Sequence, residues 1–475
     1  MFDLCWYENS EEEKMKIKKM GHSDFQAVVL AGGKGSRMTE LTAGKPKCLL
    51  PIANLPMIYY PLHFLERSGF NDAIVVVSET VKTDVISAIE KLNLKIQCDV
   101  VGVEDSEDIG TADSLRIIHE KIHKDLLIVP TDLITDIDIS ETLNLYRSHD
   151  ASITGLYAEQ PKIPDDFIRP GPKSKQKPET DLIGVGETSR LLFLASASDF
   201  EEYICMNGAL TEKHPTFVIH SHLVDTHVYM ISKWVLKFLV QNKSFSTLKG
   251  ELLPYIVRKQ MSNPQQEEEK NMENPENNVF KYACKPKNEK KTDFEKCVRD
   301  WSSYNDHKNS LDNAYHDDII RCYAHIIKGK TCIRANTVQT YSLSNAIATD
   351  IFELKKEGNV ENSSISSKAV VKCTQLQNCR IDDNAQISEK TSLKNSYFSY
   401  NVVVKPKTRI QKSVLMNDVV VNEKCVIENS IICNGAIIED DTVLKNCIVG
   451  ANFTVSSGDH NQEVLTDTDG LMEIE

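Results

Sequence analysis

The sequence lacks three features that would each point to a different class of protein. It has no run of about 18 apolar residues, the length that a transmembrane helix needs. Its 13 cysteines include no CxxC pair and no zinc-type spacing, which favours reduced core thiols over a disulfide framework or a zinc site. Its formal net charge of −14 argues against direct nucleic-acid binding as its main role. We therefore expect neither a membrane nor a nucleic acid among its partners.

The N-terminal residues lack the apolar core of a signal peptide. Residues 1–24 are rich in Glu and Lys instead, and we interpret them as a mobile extension of a cytoplasmic (cytosolic) protein. With 475 residues the chain is long enough for two or three domains, each with its own core.

Residues 25–260 alternate short runs of Val, Ile and Leu with amphipathic stretches that are typical of helices. Strands and helices are predicted in turn over 25–30, 57–68, 73–77, 81–92, 100–103, 111–122, 125–129 and 139–148. This order indicates an α/β, Rossmann-like domain whose parallel sheet is covered on both faces. Ligands of such sheets bind at the carboxyl ends of the strands.

A glycine-rich turn follows the first strand. Gly32, Gly33 and Gly35 would let backbone N–H groups approach a phosphate without a side-chain clash. Arg37 and Lys47 come next, as two cations that can neutralise a triphosphate. The pattern predicts a nucleotide-phosphate cradle at this edge of the sheet.

Two more candidate sites fall on the same edge. Asp132 follows the strand over 125–129, where a carboxylate beside phosphates would suit Mg²⁺. The alternative is an ordinary turn acid or helix cap. Gly110 and Thr111 precede a helix whose free N–H groups can contact a base or a ribose, or they are a simple helix start capped by Thr111.

Four segments, in order, resemble the nucleotidyltransferase family that makes sugar nucleotides: LAGGKGSRM, PKCLLP, GTADSL and PTDLITD. The resemblance implies that the glycine loop and Arg37 hold a triphosphate, that Lys47 stabilises the reacting phosphate, and that Asp132 binds Mg²⁺. One departure lies after GVGETSRLLF, where LASASDF lacks the lysine with which the family's enzymes hold the sugar phosphate. Asp225 lies near the expected sugar pocket and is not assigned as a second metal ligand.

The composition changes after residue 260. Residues 261–317 are dominated by Glu, Lys, Asp and Asn, which predicts a flexible acidic and polar linker. Residues 318–360 are interpreted as a connecting segment, in which RCYAHIIKG at 321–329 is a strand that restarts the ordered structure.

A 17-residue repeat occupies residues 361–460, and residues 461–475 form a C-terminal tail. The repeat starts at Asn378, Asn395, Lys412, Asn429 and Asn446. Apolar residues recur three, nine and fifteen positions after each start: Ile381, Phe398, Leu415, Ile432 and Val449; Ile387, Val404, Val421, Ile438 and Val455; Leu393, Ile410, Ile427 and Leu444. Three apolar columns joined by polar corners predict a left-handed parallel β-helix of hexapeptide repeats, and five registers make hairpins of accidental spacing a poor alternative.

This layout leaves two classes of function open. The first is a sugar-nucleotide pyrophosphorylase of the mannose-1-phosphate guanylyltransferase type, which would use Arg37, Lys47 and Asp132 with Mg²⁺. The second is a non-catalytic subunit. Over roughly residues 25–260 and 318–475 the chain resembles the gamma-subunit family of eukaryotic translation initiation factor 2B, through GKGSRMTELTAGKPKCLLP, FVIHSHLVDTHVYMI, GELLPYIVRKQ and NQEVLTDTDGLMEIE, among other segments.

The second resemblance implies a regulatory scaffold, with its own nucleotidyltransferase activity lost, in the exchange factor that regenerates GTP-bound initiation factor 2. The implied partners are the epsilon subunit, the other subunits of the complex, and initiation factor 2 as substrate. The chain ends soon after its repeats, so we expect no exchange domain of the epsilon type. No cofactor is required, and GTP with Mg²⁺ is left as the ligand of a vestigial site. The absent lysine favours the scaffold over the enzyme.

Overall fold

The computed structural model describes residues 22–104, 109–160, 163, 167–172, 180–186, 188–200, 204, 206, 208–272, 274–283, 318–352 and 363–467. Three predicted segments therefore lie wholly or largely outside the described residues. They are the N-terminal extension up to residue 21, residues 284–317 of the linker, and the end of the tail from residue 468.

The first domain contains strands of two to nine residues. They are β1 (Phe25–Leu30), β2 (Pro51–Ile52), β3 (Leu55–Pro56), β4 (Asp72–Ser78), β5 (Gln97–Val103), β6 (Asp125–Pro130), β7 (Leu133–Thr135), β8 (Ile153–Glu159), β9 (Asp181–Gly186), β10 (Leu191–Ser196), β11 (Phe217–His220), β12 (Leu223–Ile231), β13 (Cys322–Ile327) and β14 (Cys332–Arg334).

Helices connect and cover these strands. They are α1 (Thr39–Thr42), α2 (Tyr59–Arg67), α3 (Lys82–Glu90), α4 (Thr111–Ile117), α5 (Ser140–Ser148), α6 (Gly208–Lys213), α7 (Lys233–Gln241), α8 (Leu253–Lys259), α9 (Pro264–Lys270), α10 (Phe280–Ala283) and α11 (Val338–Ile351). A 3₁₀ turn over Lys47–Leu49 and a π-helical turn over Leu248–Leu252 belong to the candidate site.

The central sheet has the order β13-β8-β12-β6-β1-β4-β5, with β6, β1, β4 and β5 parallel. Alternate side chains of its strands enter two separate cores. Val28 and Ile128 pack with α4, α7 and α8 on one face, and Val29 and Val129 pack with α2 and α5 on the other. The predicted arrangement, a sheet covered on both faces, is confirmed.

The sheet is mixed, whereas the sequence predicted a parallel one. β12 runs antiparallel to both β6 and β8. Between β8 and β12 the chain builds a small separate sheet with the order β10-β9-β11. The chain leaves the main sheet at the C-terminal end of β8 and returns at that same end, so β12 runs antiparallel to β8.

The first domain also extends past residue 260. β13 pairs in parallel with β8, and β14 pairs antiparallel with β7, so the predicted connecting segment completes the main domain. Within the predicted linker, α9 and α10 are ordered. Val279, Phe280 and Ala283 are buried in the core beside α7, and Glu267 of α9 is paired with Lys259 of α8. The flexible-linker prediction therefore differs from the structure over residues 264–270 and 280–283.

Residues 364–465 form three stacks of short parallel strands, which we call sheets I, II and III. Sheet I contains β15 (Ser364–Ile365), β18 (Arg380–Ile381), β21 (Tyr397–Phe398), β24 (Val414–Leu415), β27 (Ile431–Ile432), β30 (Ile448–Val449) and β33 (Val464–Leu465). Sheet II contains β16 (Val370–Val371), β19 (Gln386–Ile387), β22 (Val403–Val404), β25 (Val420–Val421), β28 (Ile437–Ile438) and β31 (Thr454–Val455). Sheet III contains β17 (Gln375–Gln377), β20 (Ser392–Lys394), β23 (Arg409–Gln411), β26 (Val426–Glu428), β29 (Val443–Lys445) and β32 (Asp459–Asn461).

Strands pair with those of the next coil at a spacing of 17 residues in the middle of the stack, as Phe398 does with Leu415. The predicted apolar columns form one continuous core. The five predicted repeat starts are corners with φ between 46° and 52°, a left-handed conformation that Asn tolerates better than most residues. These stacked parallel strands are consistent with the predicted β-helix, a name we keep for this region, and its left-handed sense stays a prediction.

Sheet I of the β-helix packs against the first domain. Its outward side chains Val414, Ile431 and Ile448 are buried in a core that also contains residues of α1, β2, α2 and α11. Asn345 of α11 ties both sides together, because its Oδ1 accepts the Ala53 N–H at 2.9 Å and its carbonyl accepts the Tyr397 hydroxyl at 2.6 Å. The two domains therefore share a continuous apolar interface.

Candidate functional site

The glycine turn after β1 has an open side and a tight side. Gly32, Gly33 and Arg37 are exposed, and a Cβ atom added to Gly33 would meet nothing within 4 Å. Gly35 has a φ of +77°, and a Cβ there would lie 2.7 Å from Thr42 Cγ2. The shape of the turn thus requires glycine at 35 and leaves 32 and 33 accessible. Phosphate binding at this loop stays a prediction.

Lys47 is engaged by the protein itself. Its Nζ donates to Asp132 Oδ2 at 2.6 Å. Arg334 donates to the same carboxylate, from Nε to Oδ1 at 3.1 Å and from Nη2 to Oδ2 at 3.1 Å. The Asp132 side chain is only 2% exposed, against 11% for Lys47 and 16% for Arg334. We call these three residues the ion triad.

Local backbone structure places the three members together. Lys47 opens a 3₁₀ turn directly after Pro46, and Asp132 lies in the turn between β6 and β7. Arg334 ends β14, where it is opposite Leu133 of β7, and the next N–H, that of Ala335, donates to the Asp132 carbonyl at 2.9 Å. Strand pairing therefore fixes the guanidinium beside the carboxylate.

The ion triad does not fit the predicted Mg²⁺ site. Burial alone would raise the pKa of the Asp132 carboxyl, but the charges and hydrogen bonds of Arg334 and Lys47 outweigh it and hold the pKa well below its usual range. Both carboxylate oxygens already accept bonds from cations, so Mg²⁺ would have to displace one of them. Within the described part of the chain, no group of three His, Cys, Asp or Glu residues is arranged to hold a metal ion.

A second set of polar residues lies close to the triad. Asp225 is buried and accepts the Tyr229 hydroxyl at 2.6 Å and the His227 N–H at 2.8 Å. Burial raises the pKa of Asp225, although the charge of Lys249 opposes this, and Lys249 Nζ itself bonds Asp181 Oδ2 at 2.8 Å. Burial and then the neighbouring cations lower the pKa of His227, which keeps its imidazole neutral. Asp225 and Lys249 are therefore bonded to other groups of this chain.

Gly110 and Thr111 are engaged in packing. The carbonyl of Ser246 accepts the Ala112 N–H at 2.9 Å, and a Cβ on Gly110 would lie 2.1 Å from that carbonyl oxygen. The Thr111 hydroxyl accepts the Leu248 N–H at 2.9 Å. The chain's own segment 246–248 thus covers the helix N-terminus predicted to contact a base or a ribose, and Gly110 is needed for this close approach.

Sequence reasoning missed Arg334, the residue that decides the chemistry of the site. It lies 202 positions after Asp132, beyond the predicted linker. The only local signal is CIR, a short strand pattern at 332–334 without a motif around it. The sequence did show one departure from the nucleotidyltransferase pattern, the missing lysine. No lysine occurs in β10 or in the turn Ala197–Asp199, which follow GVGETSR.

Two family models match the chain. The nucleotidyl transferase model matches residues 26–165, which contain the glycine turn, Lys47 and Asp132. A model described as the GMPPB C-terminal domain matches residues 375–464, the greater part of the β-helix.

Several curated proteins are similar to the chain. The eIF2B gamma subunit of Caenorhabditis elegans is 33% identical over 241 residues, which are 50% of this chain and 59% of that protein. The gamma subunits of Schizosaccharomyces pombe and Dictyostelium discoideum are 27% and 28% identical and cover 77% and 78% of this chain, and 74% and 87% of their own lengths. The predicted resemblance to this family is confirmed.

More distant relatives have two kinds of name. The eIF2B epsilon subunit of Schizosaccharomyces pombe is 22% identical over 50% of this chain and 35% of its own length. A putative mannose-1-phosphate guanyltransferase of Sulfolobus acidocaldarius is 31% identical, but over only 33% of this chain and 45% of its own. In the described residues, no helix combines the length and the hydropathy needed to cross a membrane.

Proposed function

We propose that this chain, a relative of the gamma subunits of translation initiation factor eIF2B, is itself a subunit of such a factor. It acts as a regulatory scaffold in the cytosol, together with an epsilon-type subunit, in the exchange of guanine nucleotide on initiation factor 2. Its own nucleotidyltransferase activity is lost. Exchange of this kind needs a surface that favours one state of the GTPase, and it needs no covalent chemistry from this chain.

The ion triad is the main observation that supports the proposed loss of nucleotidyltransferase activity. Catalysis of nucleotidyl transfer depends on cations placed around the reacting phosphates. In this chain Lys47 is bound to Asp132, and the carboxylate is also held by Arg334. The cation and the carboxylate that would serve the reaction neutralise each other in a nearly dry site.

The alternative is a mannose-1-phosphate guanylyltransferase. The open Gly32–Gly33 side of the turn and the two family-model matches favour it. Against it stand the ion triad, the covered Gly110, and the absence of a lysine in β10 and the turn Ala197–Asp199. The proposed subunit requires no cofactor, and GTP with Mg²⁺ at the turn stays a prediction that these contacts disfavour.

One experiment separates the two functions. The purified full chain is incubated with GTP, Mg²⁺ and a panel of sugar 1-phosphates, and pyrophosphate release is measured beside an authentic guanylyltransferase. In parallel, the tagged chain is co-expressed with an epsilon-type subunit from the same organism, and the complex is isolated. We expect no turnover and a stable complex. Turnover at the rate of the authentic enzyme, or failure to form the complex, would contradict the proposal.

A further inference from the structure

The helix α1 lies between the glycine turn and the β-helix. On one side it packs directly on the turn, because a Cβ atom added to Gly35 would lie 2.7 Å from Thr42 Cγ2. On the other side, Leu41 and the preceding Met38 are at most 1% exposed and belong to the apolar core that the first domain shares with sheet I. One short helix therefore connects the glycine turn to the β-helix.

The chain around the end of α1 contacts the corner between sheets I and II. Cys433 Sγ donates to the Glu40 carbonyl oxygen at 3.7 Å. A Cβ atom added to Gly44 would lie 2.4 Å from Ala451 Cβ, so the backbone at Gly44 approaches the corner as closely as glycine permits. These contacts join residues 40–44 to the β-helix.

The same stretch of chain leads to Lys47 of the ion triad. Lys47 lies three positions after Gly44, and Pro46 between them has a fixed φ, which leaves the backbone little slack. The Lys47 side chain starts beside the glycine turn, since a Cβ on Gly35 would lie 3.5 Å from Lys47 Cβ, and its Nζ ends on Asp132. The position of this lysine thus depends on a segment that the β-helix contacts.

Lys47 is the member of the ion triad that can leave Asp132 at the smaller cost. Arg334 donates to both oxygens of the Asp132 carboxylate, whereas Lys47 donates only to Oδ2. Without Lys47 the buried carboxylate would still have a bidentate cation. The ammonium of Lys47 is also carried on a flexible stem, which can turn to another acceptor when its backbone shifts.

We propose that the β-helix acts as a clamp that holds Lys47 on Asp132 through residues 38–47, which we call the clamp segment. A shift of sheet I against the first domain would release the lysine toward the open side of the glycine turn. The coupling is reciprocal, so an anion that draws Lys47 away from Asp132 would weaken the docking of the β-helix. This inference concerns contacts within the chain and does not depend on the proposed function.

The test pushes the clamp segment off the β-helix and then removes the clash. Gly44→Ala forces a Cβ against Ala451 without a left-handed φ, and Gly44→Ala/Ala451→Gly takes the opposing methyl group away. Full chains are treated briefly with a small acetylating reagent, and acetylation of Lys47, which is 11% exposed in wild type, is followed by mass spectrometry. Lys249 is the internal control, since it is paired with Asp181 and belongs to none of these contacts.

We expect Gly44→Ala to raise the acetylation rate of Lys47 at least fivefold and to leave that of Lys249 within twofold of wild type. The added Ala451→Gly should return Lys47 to within twofold of the wild-type rate. An unchanged Lys47 rate in Gly44→Ala overturns the clamp. So does a parallel rise at Lys249, which shows general loosening, or a failure of the double variant to restore protection.

A second variant leaves the clamp segment itself unaltered. Ile431 is 1% exposed on sheet I, and Ile431→Asp weakens the docking by burying a carboxylate in the shared core. It should also raise the acetylation rate of Lys47 at least fivefold, with Lys249 within twofold of wild type. Full protection of Lys47 in Ile431→Asp would show that the ion triad holds the lysine without the β-helix, and would overturn the proposal.

Discussion

At the scale of single residues, the ion triad shows how a buried charged site can be neutralised by the protein's own side chains. Asp132 sits where the resemblance implies a metal ligand, yet its two oxygens bond Lys47 and Arg334. A buried carboxylate needs compensation by positive charge, and an arginine supplies it as a divalent cation would. The site is therefore stable in the absence of any ligand.

Removal of Arg334 is expected to destabilise the fold. Arg334→Met keeps much of the side-chain volume but leaves Asp132 with a single cation, and breaking a buried pair in this way costs about 3–5 kcal/mol. The double variant Asp132→Asn/Arg334→Met should lose less than the single variant does, because the uncompensated charge is gone. The free energy of unfolding from urea titration measures both. Equal losses in the two variants would contradict the compensating role of Arg334.

The effect of Mg²⁺ on thermal stability provides a second test of the same site. We expect 10-fold changes in MgCl₂ concentration to leave the melting temperature of wild type unchanged apart from ionic strength, for which NaCl is the control. A Mg²⁺-specific rise in wild type would show that the ion displaces Arg334 or Lys47, and would restore the predicted metal site.

His149 is expected to make stability fall in mild acid. Its ring stacks on Tyr323 with the centroids 4.2 Å apart, and burial, helped by Arg190 and Arg321, lowers its pKa from 6.5 to about 4. Between these two values the unfolded chain binds a proton that the folded chain does not, so the free energy of unfolding falls as pH falls, by up to about 1.4 kcal/mol per pH unit. His149→Phe keeps the stacked ring and removes the proton site. Its stability should decline less than that of wild type between pH 6.5 and 4, and identical slopes would contradict this assignment.

At the scale of elements, short-range pattern predicted much of the structure. Strand β1 and its glycine turn, the helices after it, and the columns of the β-helix all follow from neighbouring residues, as the 17-residue series from Ile381 to Val449 shows. Long-range pairing was not accessible in the same way. The strand at 321–329 was predicted, but its place beside β8 was not, and neither was the pairing of β14 with β7. Local periodicity indicates that a segment is a strand, but it does not indicate which strand will lie beside it in the sheet.

The candidate site was therefore only half predictable. Gly33, Lys47 and Asp132 belong to motifs within a hundred residues of one another, and the structure does bring Lys47 and Asp132 together. The contacts that change their meaning come from distant segments, Arg334 at the triad and Ser246 at the helix start after Gly110. No local pattern distinguishes a helix N-terminus that is free from one that another segment covers.

The glycine turn allows a matched test of its geometry. Gly35→Ala forces a left-handed φ of +77° on alanine and brings its Cβ to 2.7 Å from Thr42 Cγ2, which should cost about 1–3 kcal/mol. Gly33→Ala meets nothing within 4 Å and should change stability by no more than about 0.5 kcal/mol. Urea unfolding of the two variants measures the difference. Similar losses would show that the turn is shaped by other residues.

At the scale of the whole molecule, sheet I and the first domain share one apolar interface, and this interface holds the two domains together. The interface has its own core, separate from the core inside the β-helix. The β-helix interior does not depend on the interface for its packing. Loss of docking should therefore separate the domains before it unfolds them.

A charge in this interface is expected to uncouple the domains. Ile431 is 1% exposed on sheet I, and Ile431→Asp would bury an uncompensated carboxylate there. Calorimetry should then resolve two transitions, or a broadened one, where wild type gives a more cooperative melt. Val426→Asp, on the half-exposed outer face of sheet III, is the control and should melt like wild type. A single sharp transition in Ile431→Asp would show that the domains do not depend on this contact.

The place of β13 has a consequence for the order of synthesis. This strand covers the edge of β8 in the finished sheet, and its entry is secured by the buried pair of Arg190 Nη2 with Asp318 Oδ2 at 2.9 Å. On a translating ribosome, β8 is made more than 150 residues before its second neighbour, β13, appears, since Ile153 pairs with Cys322. The nascent domain therefore waits with an exposed strand edge, a state prone to wrong pairing.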